Sequence, residues 1–183
     1  LSLQHPEHGE CYHSHFGALR EAQTLYLEGS GFIKKAQENQ LFKGCSVLDI
    51  GLGLGYNAQS TIEAWEESPS LSSLTVVSLE SDQALFDELK TGGGRWQKNW
   101  PKSWQKKVQS LEENQPNLWL ATFVHPQSQA LCHWWVFLGE AQNLDFQKVA
   151  EKAPAFHYIW QDAFSIQKCP ELWTVSWFKT LHQ

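Results

Sequence analysis

Apolar and polar positions alternate in blocks along the chain, and the period of each block predicts its element. Val47-Leu48-Asp49-Ile50 is a short apolar run that stops at Gly51; a glycine-rich stretch follows, then Asn57 to Glu67, in which Ala58, Ile62 and Trp65 recur near helical spacing. This predicts strand, turn, helix. Leu74 to Glu80 is β-branched and apolar and gives way to acidic residues, after which Gln83 to Leu89 places Leu85, Phe86 and Leu89 on one helical face. Two more apolar runs, His133 to Leu138 ending at Gly139 and Phe156 to Trp160 ending before Asp162, predict further buried strands. Strands alternating with helices imply right-handed crossovers, and so an α/β fold with a parallel sheet and helices on both faces.

The rest of the chain divides around this core. Residues 1–42 read as an N-terminal extension with helices around Ala18 to Leu25 and Ile33 to Gln40, and residues 43–183 as the main domain. Within that domain Thr91 to Pro126, with three consecutive glycines and several Trp and Pro, reads as an insertion at about 91–126 carrying some local structure. Pro170 to Gln183 predicts a helix packing Leu172, Trp173, Trp177, Phe178 and Leu181. Only about four strands are placed, below the usual five or six, so C-terminal strands are expected to be missing from the sequence and to follow Gln183. No internal repeat is evident.

Composition narrows the class. The 183 residues, 42% hydrophobic and 13% aromatic, suit one globular domain and exclude disorder, collagen and coiled coil. Apolar stretches never approach the roughly 20 residues of a bilayer span, and no basic region followed by a hydrophobic one opens the chain, so a cytoplasmic protein is expected. Lys and Arg total 14 against 20 Asp and Glu, a net charge of −6, which disfavours affinity for a phosphate backbone over the whole surface and leaves room for a local basic patch. Cys11, Cys45, Cys132 and Cys169 form no C-x-x-C pair and read as reduced thiols. His5, His8, His13 and His15 with Cys11 match no common zinc spacing, so no metal is expected. Ten Trp stand beside no Met, even at position 1, so residues beyond this sequence are expected in the natural chain.

The strongest chemical signal is Asp49-Ile50-Gly51-Leu52-Gly53-Leu54-Gly55. Glycines there let the backbone turn tightly and approach a ligand at the carboxyl end of the first strand. A dinucleotide fingerprint, G-x-G-x-x-G, would need glycine where Tyr56 stands; the acidic-x-G-x-G-x-G form is similar to that of class I S-adenosylmethionine-dependent methyltransferases. Asp49, Gly51, Gly53, Gly55 and the following Asn57 are therefore candidate cofactor contacts, against the alternative of a glycine-rich turn without a ligand. Glu80 and Ser81 close the second strand, where an acidic residue of a Rossmann-like sheet accepts hydrogen bonds from ribose hydroxyls; Asp82 better suits the dipole of the next helix. Gly139, Glu140 and Ala141, ending the third strand, would border the adenine, and Asp162 and Phe164 follow the fourth strand at the reactive edge.

The segment Asp162-Ala-Phe-Ser-Ile-Gln-Lys168-Cys-Pro170-Glu171-Leu-Trp173 resembles the D-[AG]-F-[SA]-P-x-K-N-P-[ED]-[LM]-W signature of the MnmC/MnmD-type tRNA methyltransferases, with Ile166 for the proline and Cys169 for the asparagine. Gly9-Glu10-Cys11-Tyr12-His13-Ser14 and Tyr26-Leu27-Glu28-Gly29 are also similar to that family, which adds Tyr12 to the cofactor candidates. The resemblance implies a seven-stranded Rossmann-like fold and methyl transfer from S-adenosylmethionine to the amine of 5-aminomethyl-uridine, often 2-thiolated, at the tRNA wobble position. Bifunctional relatives carry a flavin domain, for which this sequence has no room.

In that chemistry Asp162 would accept a hydrogen bond from the amine and orient its lone pair, where the plainer alternative is an N-cap or loop carboxylate. Phe164 would stack on the extruded uracil, or else simply pack under the sheet. Lys90, Arg95, Lys98, Lys102, Lys106 and Lys107 are interleaved with Trp96, Trp100 and Trp104. This suits an anticodon loop held by Lys98, Lys102, Lys106 and Trp100, or equally a solvated basic face over a Trp-lined core. Two rival functions stay open: a methyltransferase for a small-molecule or protein amine, and a non-catalytic binding module of the same fold.

Overall fold

The computed structural model describes residues 17–38, 44–68, 73–145, 148, 149, 151, 153 and 155–182. Tyr12, Cys11 and the N-terminal histidines lie outside the described residues.

The strands predicted from apolar runs form the parallel part of one sheet: β1 (Cys45–Ile50), β2 (Leu74–Glu80), β5 (Leu131–Leu138) and β6 (Tyr158–Gln161). β2 and β6 flank β1, and β5 lies beyond β2, all in parallel register. Side chains alternate between two cores, as a sheet covered on both faces requires. Val47, Val76, Trp134 and Val136 point into one core, and Leu48, Ile50, Val77, Leu79 and Trp135 into the other. Helices α3 (Tyr56–Glu66), α4 (Gln83–Thr91) and α5 (Lys102–Gln109) cover the first face through Ile62, Trp65, Phe86, Leu89, Trp104 and Val108.

The second face is covered by the short helical turns Ala141–Asn143 and Pro170–Trp173 and by α6 (Val175–Leu181), which contribute Ala141, Leu172 and Trp177 to its core. A single C-terminal helix from Pro170 is not formed. Thr174 is extended (φ −85°, ψ 153°), and its hydroxyl accepts from the Trp177 amide at 3.0 Å, so a new helix starts there.

The sheet is mixed and not purely parallel. The expected insertion holds β3 (Glu112–Gln115) and β4 (Leu118–Val124), an antiparallel hairpin that joins the free edge of β5 and gives the order β3-β4-β5-β2-β1-β6. Its turn is made at Pro116 and Asn117, and Asn117 takes a left-handed φ of 63°. β3 escapes a reading by hydrophobic period because every one of its residues is exposed and polar, as suits an edge strand.

Before β1 the chain forms α1 (Ala18–Glu21), a π-helical stretch (Ala22–Glu28) and α2 (Phe32–Gln37). The π stretch packs against α3, and Phe32 sets its ring edge-on to Tyr158 and Trp160 of β6, at 5.4 and 6.3 Å. The first helices thus lie over β6 and reach its carboxyl end.

Candidate functional site

The carboxyl ends of β1, β2, β5 and β6 are tied together by backbone hydrogen bonds that outlast the strands. The amides of Gly51 and Leu52 donate to the Leu79 carbonyl at 3.2 and 2.8 Å, that of Gly139 to Glu80 at 2.8 Å, and that of Asp162 to Ile50 at 2.9 Å. A cleft opens where these loops diverge, beside the reversal of strand order at β1, the usual ligand position in an open α/β sheet.

One end of the cleft is built by the glycine loop and Glu80. Gly51 and Gly53 take positive φ, 94° and 52°. A Cβ on Gly51 would stand 2.7 Å from the Asp162 carbonyl oxygen, so only glycine lets the two loops touch. Glu80 is buried, and each oxygen accepts a backbone N–H: Oε2 from Gly53 and Oε1 from Asp82, both at 2.8 Å. Its burial raises the carboxyl to about 7 despite the backbone donors of Asp82, Gly53 and Ser81. Asp82 itself caps α4, its side chain accepting from the Leu85 amide at 3.0 Å. Ser81, Gly139, Glu140 and Ala141 complete this end.

Asp162, Ala163 and Phe164 form the other end together with Glu21 from α1. Phe164 is half-buried and lines the cleft, and its carbonyl accepts from the indole nitrogen of Trp173 at 2.8 Å, which anchors the loop to the next helical turn. Oδ1 of Asp162 accepts from the Tyr26 hydroxyl at 2.7 Å, and Oδ2 from Asn57 Nδ2 at 2.8 Å. The second hydrogen of that amide reaches Asp49 Oδ1 at 3.3 Å. Asp49 is fully buried, and its other oxygen accepts from the Ser78 hydroxyl at 2.9 Å, which in turn accepts from Trp134 Nε1 at 3.2 Å. Burial is the main cause that lifts Asp49 to about 7 and Asp162 to about 6; each carboxylate's neighbours add repulsion, and the donated hydrogen bonds offset part of it.

The structure therefore brings Gly51, Gly53, Glu80, Ser81, Gly139, Glu140, Ala141, Asp162 and Phe164 to one cleft. Asp49, Gly55 and Asn57 are not part of its lining: Gly55 begins α3 in a left-handed conformation, while Asp49 and Asn57 stand behind Asp162 and support it. Sequence reasoning assigned no role to Tyr26, Glu21 or Glu171. Tyr26 and Glu171 do fall within the family-like segments, which was the available signal.

The basic insertion separates into two layers. Lys98, Lys102 and Lys106 are exposed, but Trp100 is only 5% exposed and stacks edge-on against Trp104 at 6.1 Å, which lies on Trp134 at 5.0 Å. Trp100, which precedes α5, is a core residue and presents no face to a base, because its ring is buried against Trp104. Lys107 pairs with Glu66 at 3.0 Å, and Lys90 sits 4.0 Å from the Trp119 ring with its ammonium donating to the Leu111 carbonyl. Among the described residues no group of three or more His, Cys, Asp and Glu could hold a metal, and no helix is long and apolar enough to cross a membrane.

No family model matches the chain. Over 176 residues, 95% of its length, the chain is 27% identical to the tRNA 5-methylaminomethyl-2-thiouridine biosynthesis bifunctional protein MnmC of Azoarcus sp. (strain BH72). It is 25% identical over 193 residues to the protein of that name from Paraburkholderia xenovorans (strain LB400), covering 96% of this chain. Each match takes in 26% of the relative, so the chain spans about a quarter of the length of these curated relatives. MNMC2 from Aquifex aeolicus, a crystal structure, superposes with a TM-score of 0.65 and 27% identity over 99% of this chain and 52% of that one. Sequence and fold thus agree: over nearly all its length the chain is similar to the MnmC proteins, as its segment from Asp162 to Trp173 implies.

Proposed function

We propose that the chain is an S-adenosylmethionine-dependent N-methyltransferase acting on the 5-aminomethyl group of (2-thio)uridine at the tRNA wobble position. The observation that carries this reading is the make-up of the cleft: a glycine loop and an acidic ribose-type acceptor at one end, and an aspartate with an aromatic ring at the other. Five carboxylates, from Glu21, Glu80, Glu140, Asp162 and Glu171, line it with no Lys, Arg or His among the described residues. Such a lining favours cations, and both a sulfonium cofactor and an amine substrate are cationic or become so.

The donor set fits the cofactor. The Glu80 carboxylate has about four acceptor sites and so keeps capacity beyond its backbone donors to accept from a ribose hydroxyl. Gly51 and Gly53 leave the backbone bare beside it, and Gly139 to Ala141 would border the adenine. The cofactor when bound supplies an electrophilic methyl group. The chain's part is to present the amine unprotonated and in line. Asp162, with both oxygens already held by Tyr26 and Asn57, accepts a hydrogen of the amine with a remaining lone pair and so aims the nitrogen lone pair at the methyl. Its carboxyl, raised to about 6, can also take up the proton that the new bond displaces. Phe164 offers a face for the uracil. Phosphates would be met by Lys98, Lys102 and Lys106, outside the acidic cleft.

The test is transfer of labelled methyl from S-adenosylmethionine to tRNA that carries 5-aminomethyl-uridine, with calorimetry of cofactor binding alongside. The reading expects label in the wobble nucleoside. Binding without transfer to any tRNA would overturn it in favour of a binding module, and label appearing only in protein or small amines would overturn the tRNA assignment.

A further inference from the structure

Tyr26 is 136 residues from Asp162 in the chain, yet its hydroxyl makes the shorter of the two side-chain hydrogen bonds that Asp162 receives, 2.7 Å against 2.8 Å from Asn57. The same hydroxyl lies 3.3 Å from the Gln161 carbonyl, so it addresses both the strand end and the carboxylate that leaves it. The ring is fixed independently of the hydroxyl: it packs on Trp160 with centroids 5.8 Å apart and planes tilted by 52°. Tyr26 sits on the π-helical stretch Ala22–Glu28, a geometry rare in proteins and concentrated at functional sites. The wider turn of a π-helix brings residues about five apart onto one side, which is the separation of Glu21, a cleft residue, from Tyr26.

We propose that Tyr26 is a positioning residue for methyl transfer: its hydroxyl pins Oδ1 of Asp162 while Asn57 pins Oδ2, so that the carboxylate meets the substrate amine in one orientation. This rests on the reading of the cleft given above. Burial and the adjacent Asp162 hold the phenol far above its usual titration range, so Tyr26 is a neutral donor at every working pH. It therefore gives a hydrogen to Asp162 and takes none, and it favours the ionised form of the carboxylate. The groups that face Asp162 are Tyr26 and Glu21 from the N-terminal helices, Asn57 from α3 and Asp49 from β1; the two acids oppose ionisation and the two neutral donors favour it. Without the tyrosine hydroxyl, one oxygen would be free to rotate and the carboxyl would hold its proton to higher pH.

The experiment is Tyr26→Phe in the full protein, which removes the hydroxyl and keeps the ring on Trp160. Three readouts are taken: methyl-transfer kinetics against pH, S-adenosylmethionine affinity by calorimetry, and the 13C carboxyl titration of Asp162 by NMR in the ligand-free protein. The proposal expects kcat to fall by about tenfold, the scale of one hydrogen bond to a charged group, with KM for tRNA and cofactor affinity within about twofold of the parent. It expects the acid limb of kcat and the Asp162 titration to move together to higher pH. In the Asp162→Asn background the same change should have no further effect on kcat. Unchanged kcat and an unmoved titration would overturn the proposal, as would additive losses in the double variant. Should Tyr26→Phe fail to fold, 3-fluorotyrosine at position 26, a more acidic donor, should shift the titration to lower pH; no shift would overturn it. The titration needs no turnover, so a parent enzyme that transfers no methyl would sink the functional reading while leaving the pinning of Asp162 open to measurement.

Discussion

Gly53 carries two duties at one atom group: it holds a left-handed φ of 52° and gives its N–H to Glu80. Gly53→Val adds a β-branched side chain where L-residues are strained by about 1–2 kcal/mol and where, under the proposed function, the cofactor would approach. Calorimetry is expected to show S-adenosylmethionine affinity reduced by more than about tenfold, with the sheet still folded by circular dichroism. The buried acids make a second prediction. Asp49, Asp162 and Glu80 are raised to about 7, 6 and 7, above their unfolded values near 4. In that interval the folded protein holds protons the unfolded chain has released, so its stability is greatest at the acid end and is lost as pH rises through the folded values. The melting temperature of the ligand-free protein should therefore fall between about pH 5 and pH 8, and Asp49→Asn should flatten the slope. Glu80 and Asp162 were legible as candidates because strand ends and glycine spacing mark the crevice of such a sheet. The bracing of Asp162 by Tyr26 was not, since no local pattern reports a contact between residues this far apart.

At the level of elements, α5 illustrates how a mixed basic and aromatic run is resolved by burial. Trp104 closes the core, Lys107 is half-buried against Glu66, and Lys102 and Lys106 face solvent, so under the proposed function tRNA would be met by the exposed lysines and not by the rings. Replacing Lys98, Lys102 and Lys106 together by Gln should weaken tRNA binding and lower the slope of log affinity against log salt by about one per lost phosphate contact, while cofactor affinity stays constant; filter binding across a salt series checks this. The parallel core of the sheet was readable because β1, β2 and β5 are apolar on both faces. The β3–β4 hairpin was not, because β3 is wholly polar and β4 mixes buried and exposed positions with no clean alternation. The π-helical stretch likewise gives no signal in a reading built on a period of 3.6.

On the scale of the whole molecule, β3 and β6 are the two edges of the sheet. β3 is guarded by its polar side chains, whereas β6 presents Ile159 at 38% exposure and has no partner on its outer side among the described residues. An unpaired edge with an exposed β-branched residue is a template for further strand pairing. The 183-residue chain is expected to self-associate as its concentration rises, and Ile159→Lys should suppress this without changing cofactor affinity, as followed by sedimentation velocity.

The absent methyl group at Gly51 reaches further than its own turn. Since the backbone after β1 approaches the Asp162 carbonyl too closely to leave room for a Cβ, the glycine loop and the loop after β6 share a single wall. Under the proposed function each ligand then meets a protein whose disorder the other has already reduced. Occupancy becomes a linked quantity: whatever factor S-adenosylmethionine adds to the affinity for the nucleoside, the nucleoside returns in equal measure.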